Sequence, residues 1–240
     1  MSDRMQAKSS AYHELIEAMS QPGCPICRLV DRAVRQYVDV FFYENVTNVE
    51  RRAEIRQARG YCSVHGALLA GHARMLSIAI IQHDVINDVL RNVDRALPQA
   101  HTHRRPLDHL IGVSMRRTVL HAVKPKRVCP LCQYERDQEG MLLHALANEI
   151  HDEVMHQAFA RSSGLCLPHL QTLLQLHDVD ANRLRLLLHV ERDILKALKA
   201  DLEEYLAKSN GSYGYAGMGK EANSPLRATQ LVSGRVLGRR

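Results

Sequence analysis

The stretch Cys24-Pro25-Ile26-Cys27 returns as Cys129-Pro130-Leu131-Cys132, 105 residues further on. Likewise Gly60-Tyr61-Cys62-Ser63-Val64-His65 returns as Gly164-Leu165-Cys166-Leu167-Pro168-His169, 104 residues on. Leu69 and Leu173 follow the two histidines at the same distance, and all six cysteines of the 240-residue chain fall inside the pattern. Self-similarity at a fixed period signals a repeated structural unit. It predicts two tandem homologous modules of ordinary domain size, residues 12–97 and 129–207. A basic connector, 98–128, joins them, and a flexible basic tail, 208–240, follows.

Both modules read as helical, which makes the fold class all-α. A helix follows each Cys-x2-Cys pair; in the first module it spans Arg28 to about Tyr43. Thr47 or Asn48 suits an N-cap, and Gly60 the C′ position, of a second helix. A long third helix is expected from Ser63 to about Leu97. Its apolar stripe, Leu69, Leu76, Ala79, Ile86, Leu90, Val93 and Leu97, has helical period. Leu107 to Val123 carries a weaker helical pattern. Asp180 suits the cap of a last helix with Leu184, Leu187, Leu188, Leu195, Leu198, Leu202 and Tyr205 on one face. With no Trp and only 3 Phe, the core is aliphatic, which favours close helix packing. The Gly-rich run Asn210 to Gly219 reads as a tether. It leads to a short apolar and basic end, Leu231 to Arg240.

Three thiols and one imidazole per module are a donor set for tetrahedral zinc. The x2 spacing lets both members of a pair reach one ion from a single turn, and the prolines stiffen that turn. A gap of 34 residues separates the pairs in the first module and 33 in the second. The expectation is therefore two zinc ions per chain. Cys24, Cys27, Cys62 and His65 would bind the first, and Cys129, Cys132, Cys166 and His169 the second. Each ion would staple its module by joining the first helix to the third. An iron–sulfur cluster is the minority alternative, since clusters usually take Cys alone.

Other chemistry finds less support. Arg28 and Gln133 follow the Cys pairs, so the C-x-x-C-H of haem attachment is absent. Glu153-x-x-His156 has di-iron spacing but no second copy. His72 and His83 lie three turns apart on the apolar stripe, where core-edge histidines explain them as well as a buried ligand pair does. No phosphate-binding Gly-rich loop or nucleophile elbow is present, so the chain is not expected to be an enzyme. There is no run of about 18 apolar residues and no apolar segment near Met1, so a cytoplasmic location is expected.

The net charge of +6 is uneven. The connector carries 7 basic against 1 acidic residue, the tail 6 against 1, and residues 129–207 carry 7 against 13. Such opposite charges can partly satisfy one another, within one chain or between two. A nucleic-acid reading would use Arg104, Arg105, Arg116, Arg117, Lys124, Lys126, Arg127 and the tail against phosphates.

The motifs CPIC…GYCSVH and CPLC…GLCLPH resemble those of an uncharacterised bacterial family of duplicated CPxC…GxCxxH proteins. The likeness covers roughly residues 12–206 and leaves the tail outside. It implies a helical metal-binding fold. The pairs also resemble zinc knuckles, without the Gly that commonly follows. The functional expectation is a zinc-stabilised interaction or adaptor protein with a protein partner, engaged by its helical faces and by a docking tail that reaches a larger assembly. Alternatives are a nucleic-acid-binding or transcription-associated zinc protein, and a redox or metal sensor using its Cys3His sites. No membrane role is expected.

Overall fold

The computed structural model describes residues 8–96, 108–210 and 217–234. Among these residues the fold is all-α, without strands. The helices are α1 (Ser10–Met19), α2 (Pro25–Val40), α3 (Val49–Gln57), α4 (Ser63–Ala70), α5 (Met75–Ala96), α6 (Asp108–Val123), α7 (Pro130–Glu149), α8 (Glu153–Arg161), α9 (Leu167–Leu174), α10 (Ala181–Asn210) and α11 (Ser224–Ser233). The chain forms two compact units, and they are not the tandem modules expected at 12–97 and 129–207. One unit is Val34–Arg136; the other joins Met1–Ala33 to Asp137–Arg240. The division falls inside α2 and α7, the helices that open with the Cys-x2-Cys pairs.

In the central unit, Val34, Val38, Phe41, Phe42, Ile55, Leu69, Ile81 and Val85 form the buried core. Phe41–Asn45 continues α2 as a π-turn. Asn48 caps α3 by accepting from the Arg51 N–H. The C′ position, expected at Gly60, is taken by Arg59 with φ 59°. Its N–H reaches Arg56 O, and the Gly60 N–H reaches back to Ile55 O. The left-handed conformation costs a non-glycine residue roughly 1–2 kcal/mol, so something must hold Arg59 there.

The expected long third helix is two helices. Gly71 ends α4 and α5 begins at Met75. His72 sits in this break and pairs with Asp39 at 2.8 Å, while His83 is exposed beside Asn87. They therefore form no buried pair. The α5 stripe is also reversed: Ile81 and Val85 face the core, whereas Leu76 (77% exposed), Ile86 and Leu90 face out. The connector is part of this unit, because α6 packs on α5, Ala122 is buried and the Lys126 N–H reaches Gln57 O.

In the other unit, α1, the start of α2 and helices α7 to α11 bury Leu15, Ile26, Leu143, Leu146, Ile150, Met155, Phe159 and Leu165. Asp152 caps α8 through the Met155 N–H, and Asp180 accepts from the N–H groups of Asn182 and Arg183 at the start of α10. The tail expected to be flexible from 208 is ordered over 217–234. There α11 packs on α10 and α9. Leu231 is buried, Arg227 pairs with Asp201 at 2.6 Å, and Lys208 pairs with the buried Glu221 at 2.7 Å. Lys220 and Arg227 of the basic tail thus meet Asp201 of the acidic helix within one chain. Residues 211–216 and 235–240 lie outside the described residues, as do Leu97, Arg104 and Arg105.

Candidate metal centres

Each ligand pair occupies the first turn of a helix. Cys24 and Cys129 precede α2 and α7, with Arg28 N–H on Cys24 O and Gln133 N–H on Cys129 O. Cys62 and Cys166 are the N-cap residues of α4 and α9. Positions i and i+3 lie on one helix face, so each pair presents both donors in the same direction. The helix N-terminus favours a thiolate there over a thiol.

The structure brings all eight expected residues into two groups of four, but it exchanges the pairs. Cys24 and Cys27 meet Cys166 and His169; Cys62 and His65 meet Cys129 and Cys132. The expected assignment within each module is corrected accordingly. Two donors three residues apart must share an ion, but a gap of more than thirty residues does not choose between two chemically identical partners. Each group lies within one compact unit.

The donor atoms of each group lie within 4.8 Å of one another. Cys27 and Cys166 Sγ are 3.6 Å apart, as are Cys62 and Cys132 Sγ. Nδ1 of His169 is 3.4, 3.4 and 3.0 Å from the sulfurs of Cys24, Cys27 and Cys166. Nδ1 of His65 is 3.3, 3.7 and 3.4 Å from those of Cys62, Cys129 and Cys132. A tetrahedron with zinc–sulfur bonds of about 2.3 Å has edges of about 3.8 Å, slightly less where a shorter zinc–nitrogen bond is involved, so each group fits a single ion. The sulfur separations are far beyond a disulfide bond of about 2 Å, and all six cysteines are free thiols.

The electrostatics point the same way. Hydrogen bonds with Cys166 and Cys27 hold the Cys24 thiol well below its ordinary value. The same sulfur contacts, with burial, push Cys27 far up. In the other group burial raises Cys132 to about 12. Cys129 is opposed by burial, yet the His65 contact and backbone N–H groups bring it down to about 6. The Cys129 contact and Glu135 raise His65 to about 10. Burial opposes charge on His169, but Cys166, Cys24 and Glu139 raise it to about 11. Protein groups alone thus favour one thiolate beside an imidazolium and oppose a second. A divalent cation removes that opposition.

Two acidic residues were missed by the sequence reading. Glu135 lies 3.3 Å from Nε2 of His65, and Glu139 lies 3.3 Å from Nε2 of His169. A carboxylate beside the far nitrogen favours the tautomer that leaves Nδ1 free to bind a metal. Both come from α7, outside the repeated motif, so the internal repeat gave no signal for them. Gly234, at the end of α11, also reaches one group. A Cβ there would lie 3.4 Å from Cys166 Sγ and 3.9 Å from Cys27 Sγ. Its φ of 77° and ψ of −137° belong to conformations essentially confined to glycine.

Residues 13–238 match the model of a family of unknown function, DUF6062. The chain belongs to that family. The DUF6062 match includes both donor groups and α11, so the resemblance does not stop before the tail, as the motifs alone implied. The chain is also similar to an uncharacterized 23.9 kDa protein in the xynA 3′ region of Caldicellulosiruptor sp. (strain Rt8B.4). Identity is 25% over 162 residues, covering 67% of this chain and 70% of that protein. No solved structure matches the chain. Among the described residues, no helix is long and apolar enough to cross a membrane.

Proposed function

We propose that the protein is a helical adaptor held together by two structural zinc ions and that it engages a protein partner through the outer face of α5. The observation that carries the metal reading is the spacing of each donor group, whose edges match a one-ion tetrahedron. A multi-iron cluster would place iron and sulfide between the thiolates and spread them further apart. Four protein ligands leave no open position for water, so each ion is structural and not catalytic. Each would join the start of one helix to that of another from a distant part of the chain. Structural zinc contributes on the order of 10 kcal/mol to folding of small domains.

The partner face is supported by Leu76, Ile86 and Leu90, large apolar side chains that α5 turns toward solvent. Contiguous exposed apolar surface commonly marks an interaction site. Residues 217–234 of the tail pack on α9 and α10, so the proposed partner face is placed on α5 and not on the tail.

Metal analysis of anaerobically purified protein tests the first half: two zinc ions per chain and no visible absorption are expected, and iron with visible colour contradicts it. Photo-crosslinking from position 86 tests the second half. A discrete protein adduct that disappears in a Leu76→Asp, Leu90→Asp variant is expected; no adduct, or one that persists in the variant, contradicts it.

A further inference from the structure

A cavity lies in the central unit, and none of the sulfur donors is among the described residues that line it. A pocket of about 380 Å³ is lined by Arg56, Arg59, Asp88, Arg91, Arg95 and Lys126, with Ala53, Gln57 and Asn92 completing its wall. Among the described residues five cations face it against one carboxylate. Asp88 is shared between Arg59, at 2.6 Å, and Arg91, at 3.5 Å. Asp84, outside the lining, is shared between Arg56 and Arg52. Among the described residues, positive charge is therefore still in excess after these ion pairs are counted.

Arg59 is the centre of this arrangement. Its side chain is only 7% exposed, and its Nε–H is buried with no acceptor. The backbone takes a left-handed conformation at this position, φ 59°, which strains any residue but glycine. A buried guanidinium carries a high desolvation penalty unless its donors are used. The internal repeat supplies a control. At the offset of 104 residues that relates the Cys-x2-His motifs, Arg56 and Arg59 correspond to Ala160 and Ser163. The repeated architecture thus does not require guanidinium groups here.

We infer that this pocket binds a compact, multiply charged oxyanion: the phosphate or diphosphate group of a small phosphorylated molecule. The guanidinium fork matches phosphate oxygens in pairs, and Arg59 is the lining cation whose hydrogen-bonding capacity is not used up. Arg95 and Lys126, exposed at the rim, supply charge from the solvent side. Among the described residues no aromatic ring lines the pocket, so they offer no stacking platform of the kind with which single-stranded nucleic acid is usually held.

The test is calorimetric titration of the zinc-replete full chain with pyrophosphate and with orthophosphate at low ionic strength. Zinc content is measured before and after. One site per chain is expected, with pyrophosphate the tighter ligand. Arg95→Gln combined with Lys126→Gln alters only exposed side chains and should weaken binding at least tenfold with helicity and zinc unchanged. Arg59→Lys keeps the charge but removes the Nε donor, and should weaken it comparably. No binding at millimolar ligand, or binding indifferent to the rim variant, overturns the inference. So does a single-stranded oligonucleotide that binds through the same cations and outcompetes pyrophosphate, because the phosphate would then come from a nucleic-acid backbone.

Discussion

Replacing Leu231 by alanine should open one metal centre and leave the other closed. Leu231 is 8% exposed and anchors α11 to its unit. Three residues on, Gly234 lies over Cys166 and Cys27, close enough for an added Cβ to sit 3.4 Å from the Cys166 sulfur. A chelator approaching from that side must wait for α11 to lift. Truncating a buried leucine costs about 2–5 kcal/mol, the low end where the site can relax. For a ten-residue terminal helix we take about 2 kcal/mol. At about 1.4 kcal/mol per factor of ten, the lifted state becomes roughly 30-fold more populated. Zinc release to a chromophoric chelator should then be biphasic with equal amplitudes, and only one phase should accelerate by about that factor. A Cys62→Ser background, lacking the other ion, identifies which phase it is. Leu76→Ala, at a side chain 77% exposed, is the control and should change neither phase. If Leu231→Ala accelerates both phases equally, or neither, α11 does not guard the centre.

Glu135→Gln and Glu139→Gln should each weaken zinc binding about 10–100-fold at one centre only, that of His65 and His169 respectively, as read by competition with a calibrated chelator. Glu191 gives a pH signature. Burial is the main cause that raises its carboxyl to about 7; the Leu165 N–H opposes the rise and Cys24 adds to it. Because the folded value lies above the ordinary 4.5, its stability contribution is full below pH 4.5 and is lost as pH rises through 7. The loss is about 3 kcal/mol for a shift of this size. Glu191→Gln should therefore match the wild type in thermal stability near pH 5 and exceed it at pH 8. A difference that does not change with pH would contradict this.

The helical class and the eight residues that the structure gathers into two groups were legible in the sequence, because helical period and x2 spacing are local signals. The partnering of the pairs was not. Cys24 and Cys27 find equivalent chemistry at Cys62 and His65 and at Cys166 and His169, and only tertiary packing distinguishes them. The orientation of α5 was hidden for a related reason. It carries two apolar stripes, one through Ile81 and Val85 and one through Leu76, Ile86 and Leu90, and periodicity cannot say which turns inward. In the tail, glycine content masked α11, a helix whose short length makes it depend on packing at Leu231 and on Arg227 meeting Asp201. Arg59 was unremarkable in sequence because the following Gly60 is the residue usually found in its conformation.

Zinc stoichiometry in two double variants tests the exchanged pairing directly. Cys62→Ser with Cys129→Ser removes two ligands of one group in this fold, whereas Cys62→Ser with Cys24→Ser removes one ligand from each. The account predicts one tightly held zinc ion in the first variant and none in the second. The opposite result, none in the first and one in the second, would mean that each Cys-x2-Cys pair binds with the Cys-x2-His pair of its own repeat, and would contradict the architecture described here.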